Sequence, residues 1–314
     1  MKAYICLKDF FHSEETLAQL RKCTTELHIH PTPQRPQQSE LKELLQQYDL
    51  LIIGTKEFIT RDLLQVKPLR TRIIATLSTG TDHIDLEALE EHGITLIKTY
   101  HANVSSVAEH TLASLMHLRK RFWEGDSSVR AHKWRSGLTE FPREVRGMKV
   151  GLVGAGLIAY QTALLLKAFS AKIFAWTFRP DKHPEFETLG VTWVPSLEAL
   201  FAQTEAVSLH IPLSEQTKDF IGSKHFEQIQ HTPFLFINTA RSGLVAKDTL
   251  PQALAKQQVA FAALDLLRED EKPEQYPEGQ VLLTPHVAGV TLESIQRLGE
   301  ELIENIIKHL TTSP

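Results

Sequence analysis

The sequence of 314 residues is poor in cysteine, with only Cys6 and Cys23, and these form no Cys-x-x-Cys pair. This scarcity argues against a disulfide scaffold, and we expect both thiols to be reduced packing residues in a cytoplasmic protein. Long hydrophobic runs are also absent, because stretches such as Leu50–Ile53 are far shorter than a membrane span. The N-terminal residues MKAYICLKDF lack the apolar core of a signal peptide, so no membrane partner is expected.

An excess of positive charge is missing as well, since 34 lysines and arginines face 38 acidic residues, for a net charge of −4. Such a balance does not favour nucleic acid or an anionic membrane as a partner. Among fifteen histidines, His28 and His30 form the only close pair, and no further ligand is evident beside them. We interpret this pair as part of a solvated strand face, and we expect no metal site.

What is present is an alternation of short apolar runs with helical patterns, which indicates parallel strands joined by crossover helices. The length suggests about two domains of roughly 150 residues each. A long helix begins after Asn103, which is expected to cap it. The predicted fold class is α/β, with two Rossmann-like, doubly wound parallel-sheet domains. Strand candidates lie at 3–7, 49–54, 72–77 and 94–98, and then at 149–153, 172–176, 206–210, 234–238, 259–264 and 281–283.

A glycine-rich segment, GAGLIA at 154–159, follows the strand candidate at 149–153 and opens a helical pattern. This is the Gly-x-Gly-x-x-Ala form of a dinucleotide-binding turn. Gly154 permits the tight turn, and Gly156 lets the backbone approach a pyrophosphate. The helix start at Leu157 and Ile158 then offers N–H groups to the phosphates. The alternative is a turn that binds no ligand, but strand, helix and second strand are all in place, so we predict dinucleotide binding.

The end of the second strand bears on the choice of cofactor. An NAD site usually has an acidic residue here that accepts from the ribose 2′-OH. This chain instead has Thr177, Phe178 and Arg179, and no acid before Asp181. A hydroxyl and a guanidinium suit a 2′-phosphate better, so we predict NADP(H) as the preferred cofactor, with NAD(H) as the alternative. The competing interpretation of Arg179 is a solvated loop arginine.

Six motifs occur in order along the chain. The chain therefore resembles the D-isomer-specific 2-hydroxyacid dehydrogenase family, and in particular glyoxylate and hydroxypyruvate reductases, from about Ile52 to Ile303. The motifs are STGTDHIDL at 78–86, VSSVAEHTLASL, REVRGMKVGLVGAGLIA, VSLHIPLSEQT at 207–217, INTARSG at 237–243 and LLTPHVAG.

The resemblance implies two α/β domains with an active-site cleft between them. The substrate domain would consist of residues 1–101 and 290–314, and residues 102–289 would bind the dinucleotide. The family also implies a homodimer, formed through the helix at the domain junction and the arm that follows it.

The same resemblance implies hydride transfer between a nicotinamide cofactor and a small 2-oxo acid or D-2-hydroxy acid, which we expect to run in the reductive direction. Arg241 would grip the substrate carboxylate and carbonyl, the backbone at Thr79 and Gly80 would hold the carboxylate, and His286 would donate the proton. Outside the family context, Arg241 would be read as a surface residue and His286 as a capped loop histidine. Asp265 would contact the nicotinamide carboxamide. The expected cofactor-binding residues are Gly154, Gly156, Leu157, Ile158, Thr177, Arg179, His210, Pro212, Thr239, Asp265 and His286.

A carboxylate beside His286 would favour its protonated form. The family places this acid in a D-x-x-x-x-E-P segment, whereas this chain reads DLLREDEKPEQYP from Asp265 onward. An ungapped count selects Asp270 as the catalytic acid, with Glu269 and Glu271 as alternatives. The competing interpretation of the run is a solvated acidic loop.

Two other functions remain open from the sequence. One is hydride abstraction from formate, since TDHIDL and NVSSVAEH are similar to motifs of formate dehydrogenases; the acidic loop argues against it, because that branch pairs its histidine with glutamine. The other is a non-catalytic NAD(P)-sensing scaffold. The sequence does not name the 2-oxo acid.

Overall fold

The structure, a computed structural model, describes residues 1–7 and 14–312. The chain forms two units, of which the first consists of Met1–Asn103 together with Val290–Pro314 and the second of Val104–Gly289. The division expected from the sequence lies two residues away at the first boundary, 101 against 103, and at the same place at the second.

The strands of the described residues form two sheets in which all neighbours pair in parallel, so the predicted α/β class is confirmed. Parallel neighbours need crossover connections, which here are mostly helices. The strands are β1 (Lys2–Ile5), β2 (Glu26–Ile29), β3 (Leu50–Ile53), β4 (Ile73–Thr76), β5 (Thr95–Lys98), β6 (Lys149–Val153), β7 (Lys172–Trp176), β8 (Thr192–Trp193), β9 (Ala206–Leu209), β10 (Leu235–Asn238), β11 (Phe261–Leu264) and β12 (Val281–Leu283).

The helices range from one turn to the 21 residues of the last helix, and none in the part of the chain that the structure describes is both long and apolar enough to cross a membrane. They are α1 (Glu14–Cys23), α2 (Gln38–Gln47), α3 (Leu86–Glu91), α4 (Val104–Lys120), α5 (Phe122–Arg130), α6 (Leu157–Ala168), α7 (Leu197–Gln203), α8 (Ser223–Phe226), α9 (Thr249–Ala255) and α10 (Leu292–Thr312).

In the first unit the strand order is β2-β1-β3-β4-β5. Every residue of β3 and β4 is buried, as expected for central strands of a parallel sheet that is covered on both faces. The chain returns to this unit through α10, which buries Leu302, Ile303 and Ile306 in the core. The carboxylate of Glu301 in α10 also accepts backbone N–H bonds from residues 100–102. These contacts explain why two distant segments of the chain form one unit.

In the second unit the strand order is β12-β11-β10-β9-β6-β7-β8. The chain starts in the middle with β6, adds β7 and β8 on one side, and then crosses to β9 and continues outward. The strand order therefore reverses between β6 and β9. In open α/β sheets, ligands bind at the carboxyl ends of the strands beside such a switch point. The glycine-rich segment begins at this place, directly after β6.

The structure corrects two local expectations and adds two strands to the ten candidate ranges. Asn103 does not cap α4, because its Oδ1 is buried and has no hydrogen-bond partner within the described residues. His30 is only 8 % exposed and its Nδ1 lies 2.9 Å from the Tyr4 hydroxyl, so the solvated-face interpretation is wrong for His30, whereas His28 is exposed. The strand β2, which contains His28, was not among the candidate ranges. The two-residue strand β8 was not predicted, because so short a segment shows no alternation.

Candidate active site

The turn after β6 is formed by Gly154, whose φ of 109° lies in a region that residues with a side chain rarely adopt. A Cβ at this position would lie 2.7 Å from the backbone oxygen of His210, which follows β9. The Gly154 N–H also donates to the carbonyl of Trp176 at 2.8 Å. The turn is therefore pressed against both neighbouring strands, and only glycine fits there.

Gly156 differs from Gly154 because a Cβ built on it would have no neighbour within 4 Å. Gly156 is the N-cap of α6, and no side chain caps the helix. The first N–H groups of the helix, beginning at Leu157 and Ile158, have no intrahelical partner. An open backbone and an uncapped helix of 12 residues together fit the pyrophosphate of a dinucleotide.

At the end of β7, Thr177 is partly buried, whereas Phe178 and Arg179 are exposed. The Phe178 ring packs against Trp176 and Phe220, with centroids 4.9 and 5.6 Å away. Arg179 forms no ion pair with any residue that the structure describes, so its guanidinium is open to a ligand.

The ends of β9 and β10 carry the other predicted cofactor residues. Burial lowers the pKa of His210 to about 4, and its Nε2 is buried without a partner within residues 1–7 and 14–312. The carbonyl of the exposed Pro212 accepts from Thr217 Oγ1 at 2.7 Å. The Thr239 hydroxyl lies 3.1 Å from that of Thr111 in α4. His210 is thus a neutral ring with an unused polar atom, whereas Thr239 is already engaged by the protein.

Arg241 follows β10 and is placed by a buried asparagine. The side chain of Asn238 donates to the Arg241 carbonyl at 2.9 Å and accepts from the Ala240 N–H at 3.0 Å. Arg241 itself is extended, with φ −144° and ψ 139°, and its Nη1 donates to the Ala240 carbonyl at 2.9 Å. This bond uses one of the five N–H donors that an arginine carries.

His286 lies on an exposed turn just after β12 and has a φ of 56°, which is uncommon for a residue with a side chain. Its backbone N–H donates to the carbonyl of Asp265 at 2.5 Å and to that of Thr284 at 3.0 Å. A strained backbone of this kind costs on the order of 1–3 kcal/mol and persists only where the surroundings determine it.

Asp265, which follows β11, provides these surroundings. Its side chain has no exposed surface, and its Oδ1 accepts from Thr284 Oγ1 at 2.6 Å and from the Val287 N–H at 2.9 Å. Its Oδ2 accepts from the Ala288 N–H at 2.8 Å. The carboxylate therefore binds both sides of His286, while the carboxamide contact that the resemblance implies stays a prediction.

The acidic loop places Asp270 on the surface. Its carboxylate lies 2.7 Å from Lys247 Nζ and 3.6 Å from Arg268 Nε, and the bond to Lys247 lowers its pKa. Glu271 accepts from the Arg268 backbone N–H at 3.0 Å, and Glu269 is exposed. The structure thus brings Asp270 to two cations, and the pairing of an acid in this loop with His286 stays a prediction.

In the first unit, the loop after β4 holds the predicted carboxylate-binding residues. The Ser78 hydroxyl donates to the Gly80 carbonyl at 2.7 Å and lies 2.9 Å from the Thr76 hydroxyl. Lys98 Nζ donates to the Thr79 carbonyl at 3.4 Å. The Thr79 hydroxyl is buried and has no partner in the part of the chain that is described. The loop is therefore fixed by its own side chains and retains an unused polar atom, while its role in substrate binding stays a prediction.

Among the described residues, no three His, Cys, Asp or Glu side chains come together in a group that could hold a metal ion. Sequence reasoning gave no catalytic role to two residues that the structure places beside Asp265, namely Thr284 and His110. The motif LLTPHVAG contains Thr284, but the sequence alone does not show which carboxylate receives its hydroxyl.

Comparison with known proteins decides the family. The model of the D-isomer specific 2-hydroxyacid dehydrogenase, NAD binding domain, matches residues 112–288, which is more than half of the chain. The chain belongs to this family. A glyoxylate reductase of Aeropyrum pernix is 31% identical over 283 residues, which cover 87% of this chain and 83% of the relative.

Two further proteins extend the comparison. A hydroxypyruvate reductase of Thermotoga maritima is 28% identical over 302 residues and covers 95% of each chain. The crystal structure of a glyoxylate reductase from Paecilomyes thermophila superposes with a TM-score of 0.86, covering 99% of this chain and 96% of the other, at 22% identity. The last likeness concerns the fold alone. As a family member, the chain is an oxidoreductase that transfers a hydride between a nicotinamide cofactor and a 2-oxo or D-2-hydroxy acid.

Proposed function

We propose that the chain reduces a small 2-oxo acid to the D-2-hydroxy acid with NADPH, with glyoxylate and hydroxypyruvate as the first candidates. The observation that carries the proposal is the edge formed by three adjacent strands of the second unit. Arg241 follows β10, Asp265 follows β11 and His286 follows β12. A carboxylate-binding cation and an acid–base group are thereby delivered to one sheet edge, where ligands of α/β sheets bind.

In this proposal each residue has one task. The bound cofactor supplies the hydride. Arg241 binds the substrate carboxylate through its planar fork, which also fixes the orientation of the carbonyl. His286 gives its proton to the oxygen of the carbonyl as negative charge develops there. The backbone N–H groups at Thr79 and Gly80 would add further contacts to the carboxylate.

The preference for NADPH is inferred from the end of β7. An exposed guanidinium without an acidic partner among the described residues would pair with the 2′-phosphate, and Thr177 would not repel it. The family model establishes a domain that binds NAD in general terms, and NADH is the alternative cofactor. The matching glyoxylate and hydroxypyruvate reductases support the choice of substrates.

A carboxylate near His286 would raise its pKa, and Asp270 is our first candidate by spacing. The test is the pH dependence of kcat/KM in Asp270→Asn, with Glu269→Gln and Glu271→Gln as matched variants. If Asp270 is the partner, its variant alone shifts the apparent pKa of the catalytic group downward. A shift in one of the glutamate variants instead would transfer the role to that residue.

Self-association is proposed from the arm of the second unit. Four large apolar side chains between residues 122 and 141 are exposed by 49–76%, and exposed apolar side chains that accumulate in one segment are typical of a protein interaction site. They are Phe122, Val129, Trp134 and Phe141. Light scattering should give a dimer for the wild type and a monomer for Trp134→Ser with Phe141→Ser, whereas Leu292→Ser, an exposed residue elsewhere, should leave the dimer intact. A monomeric wild type would contradict this part of the proposal.

The proposed function as a whole is tested by steady-state kinetics. Glyoxylate, hydroxypyruvate, pyruvate and bulkier 2-oxo acids are each offered with NADPH and with NADH. We expect turnover of a small 2-oxo acid and a higher kcat/KM with NADPH. Oxidation of formate without reduction of any 2-oxo acid would favour the formate dehydrogenase alternative. Binding of the cofactor without any turnover would favour a sensing scaffold.

A further inference from the structure

The carboxylate of Asp265 is enclosed on all sides, and its hydrogen bonds extend to α4. It accepts from the Thr284 hydroxyl and from the backbone N–H groups of Val287 and Ala288. His110 in α4 could carry a positive charge, and its Nε2 lies 4.0 Å from Asp265 Oδ1 and 3.3 Å from Thr284 Oγ1.

The direction of each hydrogen bond follows from the chemistry of the groups. A carboxylate only accepts hydrogen bonds, so the single proton of the Thr284 hydroxyl points to Asp265 Oδ1 at 2.6 Å. The hydroxyl oxygen then accepts from His110 Nε2, which must carry a proton. The result is an ordered chain in which His110 donates to Thr284, Thr284 donates to Asp265, and Asp265 accepts from the turn that contains His286.

We propose that Thr284 and His110 are positioning residues for the acid–base step, an inference that rests on the proposed role of His286. They touch neither substrate nor cofactor in this account. They hold the Asp265 carboxylate in the orientation in which both of its oxygens bind the backbone that flanks His286. The imidazole therefore projects from a turn whose strained backbone is held through the N–H groups of His286, Val287 and Ala288.

Removal of the Thr284 hydroxyl is expected to lower turnover. Loss of the Thr284 hydroxyl removes one donor from Asp265 and the oxygen that accepts from His110 Nε2, so the carboxylate and the attached turn can rotate. A displacement of about 1 Å at a catalytic group lowers turnover by roughly 100-fold. The KM for the 2-oxo acid should change little, because Arg241 is held by Asn238 on another strand. The affinity for NADPH should change less than kcat, because the glycine-rich turn proposed to hold the pyrophosphate contains neither residue.

The experiment compares two pairs of matched variants. Thr284→Val keeps the shape of the side chain but removes the hydroxyl, whereas Thr284→Ser keeps the hydroxyl. His110→Ala removes the donor, whereas His110→Gln retains an N–H near the Nε2 position. We expect kcat to fall roughly 10- to 100-fold in Thr284→Val and His110→Ala and to be largely restored in Thr284→Ser and His110→Gln.

The outcomes separate this inference from the proposed function. If His286→Asn loses turnover but Thr284→Val and His110→Ala retain the wild-type kcat, the positioning chain is wrong and the role of His286 stands. If His286→Asn turns over at the wild-type rate, the proposed function itself fails. A measurement that needs no variant is the imidazole ¹⁵N spectrum of the wild-type protein. His110 should carry a proton on Nε2. A tautomer with its proton on Nδ1 alone would contradict the proposed series of hydrogen bonds from His110 through Thr284 to Asp265.

Discussion

Two turns of the second unit follow strands of the same sheet, yet they are built in opposite ways. The turn after β6 has a glycine at its tightest point, and a Cβ built on Gly156 would have no neighbour within 4 Å apart from the adjoining residues of the chain. The turn after β12 places a histidine in a left-handed conformation and fixes it with five hydrogen bonds to or from Asp265 and Thr284. The first turn leaves its backbone open to a ligand, whereas the second uses its backbone to hold one side chain.

The comparison therefore separates binding from chemistry. In the first turn the groups that would bind the cofactor are backbone N–H groups. A substitution of a glycine there is expected to weaken binding because it adds side-chain atoms. In the second turn the group proposed to act is the side chain of His286. A substitution there is expected to lower turnover because it removes the imidazole.

The largest effect is expected for Gly154→Ala. The added Cβ would meet a backbone oxygen at 2.7 Å and would force alanine to a φ of 109°. Strain and overpacking together should lower the free energy of unfolding by about 3 kcal/mol. Urea denaturation measures this change. Gly156→Ala is the matched control, because its Cβ has open space; it should unfold like the wild type and bind NADPH more weakly. Equal stability of Gly154→Ala and wild type would contradict the first half of the comparison.

Arg241→Lys tests the proposed substrate anchor, which follows β10 in the same sheet as the second turn. A lysine keeps the charge but offers no planar fork, so the carboxylate is held less well and the carbonyl is misoriented. We expect KM for the 2-oxo acid to rise and kcat to fall, with kcat/KM lower by on the order of 100-fold. Unfolding by urea serves as the control for structural damage. Wild-type kinetics with every accepted 2-oxo acid would mean that Arg241 is not the anchor.

Arg179→Ala sharpens the account of the first turn by testing which dinucleotide it receives. Loss of an arginine–phosphate contact worth about 1.5–3 kcal/mol should reduce the preference for NADPH over NADH by roughly ten- to a hundredfold. The measurement is kcat/KM for both cofactors at one concentration of the 2-oxo acid. Lys182→Ala, a nearby cation on the same segment, is the control. A wild type that prefers NADH, or an unchanged ratio in Arg179→Ala, would contradict the assignment.

The smallest effect concerns pH and His210, which lies against the first turn. Burial lowers its pKa from 6.5 to about 4, so the folded state holds the ring neutral while the unfolded state takes up a proton below about pH 6.5. The stability contributed by the neutral ring is therefore present above pH 6.5 and is lost as the pH falls towards 4. Between pH 7 and pH 5 the loss should be about 2 kcal/mol. His210→Gln should show a pH dependence weaker by this amount, and identical slopes would refute the prediction.

The sequence predicts the parts of the fold that depend on local patterns. The bounds of β6, β7 and β12 agree with the ranges predicted from short apolar runs, because Gly154, Thr177 and Thr284-Pro285 follow the three runs. The glycine-rich turn could be read in the same way, since its function follows from the missing side chains of Gly154 and Gly156.

The parts that could not be predicted depend on residues far apart in the chain. The partners of Asp265 are about 20 residues later, and His110 lies 174 residues before Thr284. The spacing from Asp265 selected Asp270 as the acid beside His286. It could not show that Lys247, on a different loop, binds the Asp270 carboxylate. Local sequence cannot reveal such pairs, because the crossover helices decide which strand ends become neighbours.

The most direct test of the central claim is a pair of measurements on His286→Asn. NADPH fluorescence titration reports whether the first turn still binds its cofactor, and the rate of glyoxylate reduction reports whether the second turn still acts. The account predicts an unchanged Kd for NADPH together with a kcat that is lower by roughly 100-fold or more. Wild-type turnover at saturating glyoxylate would contradict the claim that His286 is the acid–base group.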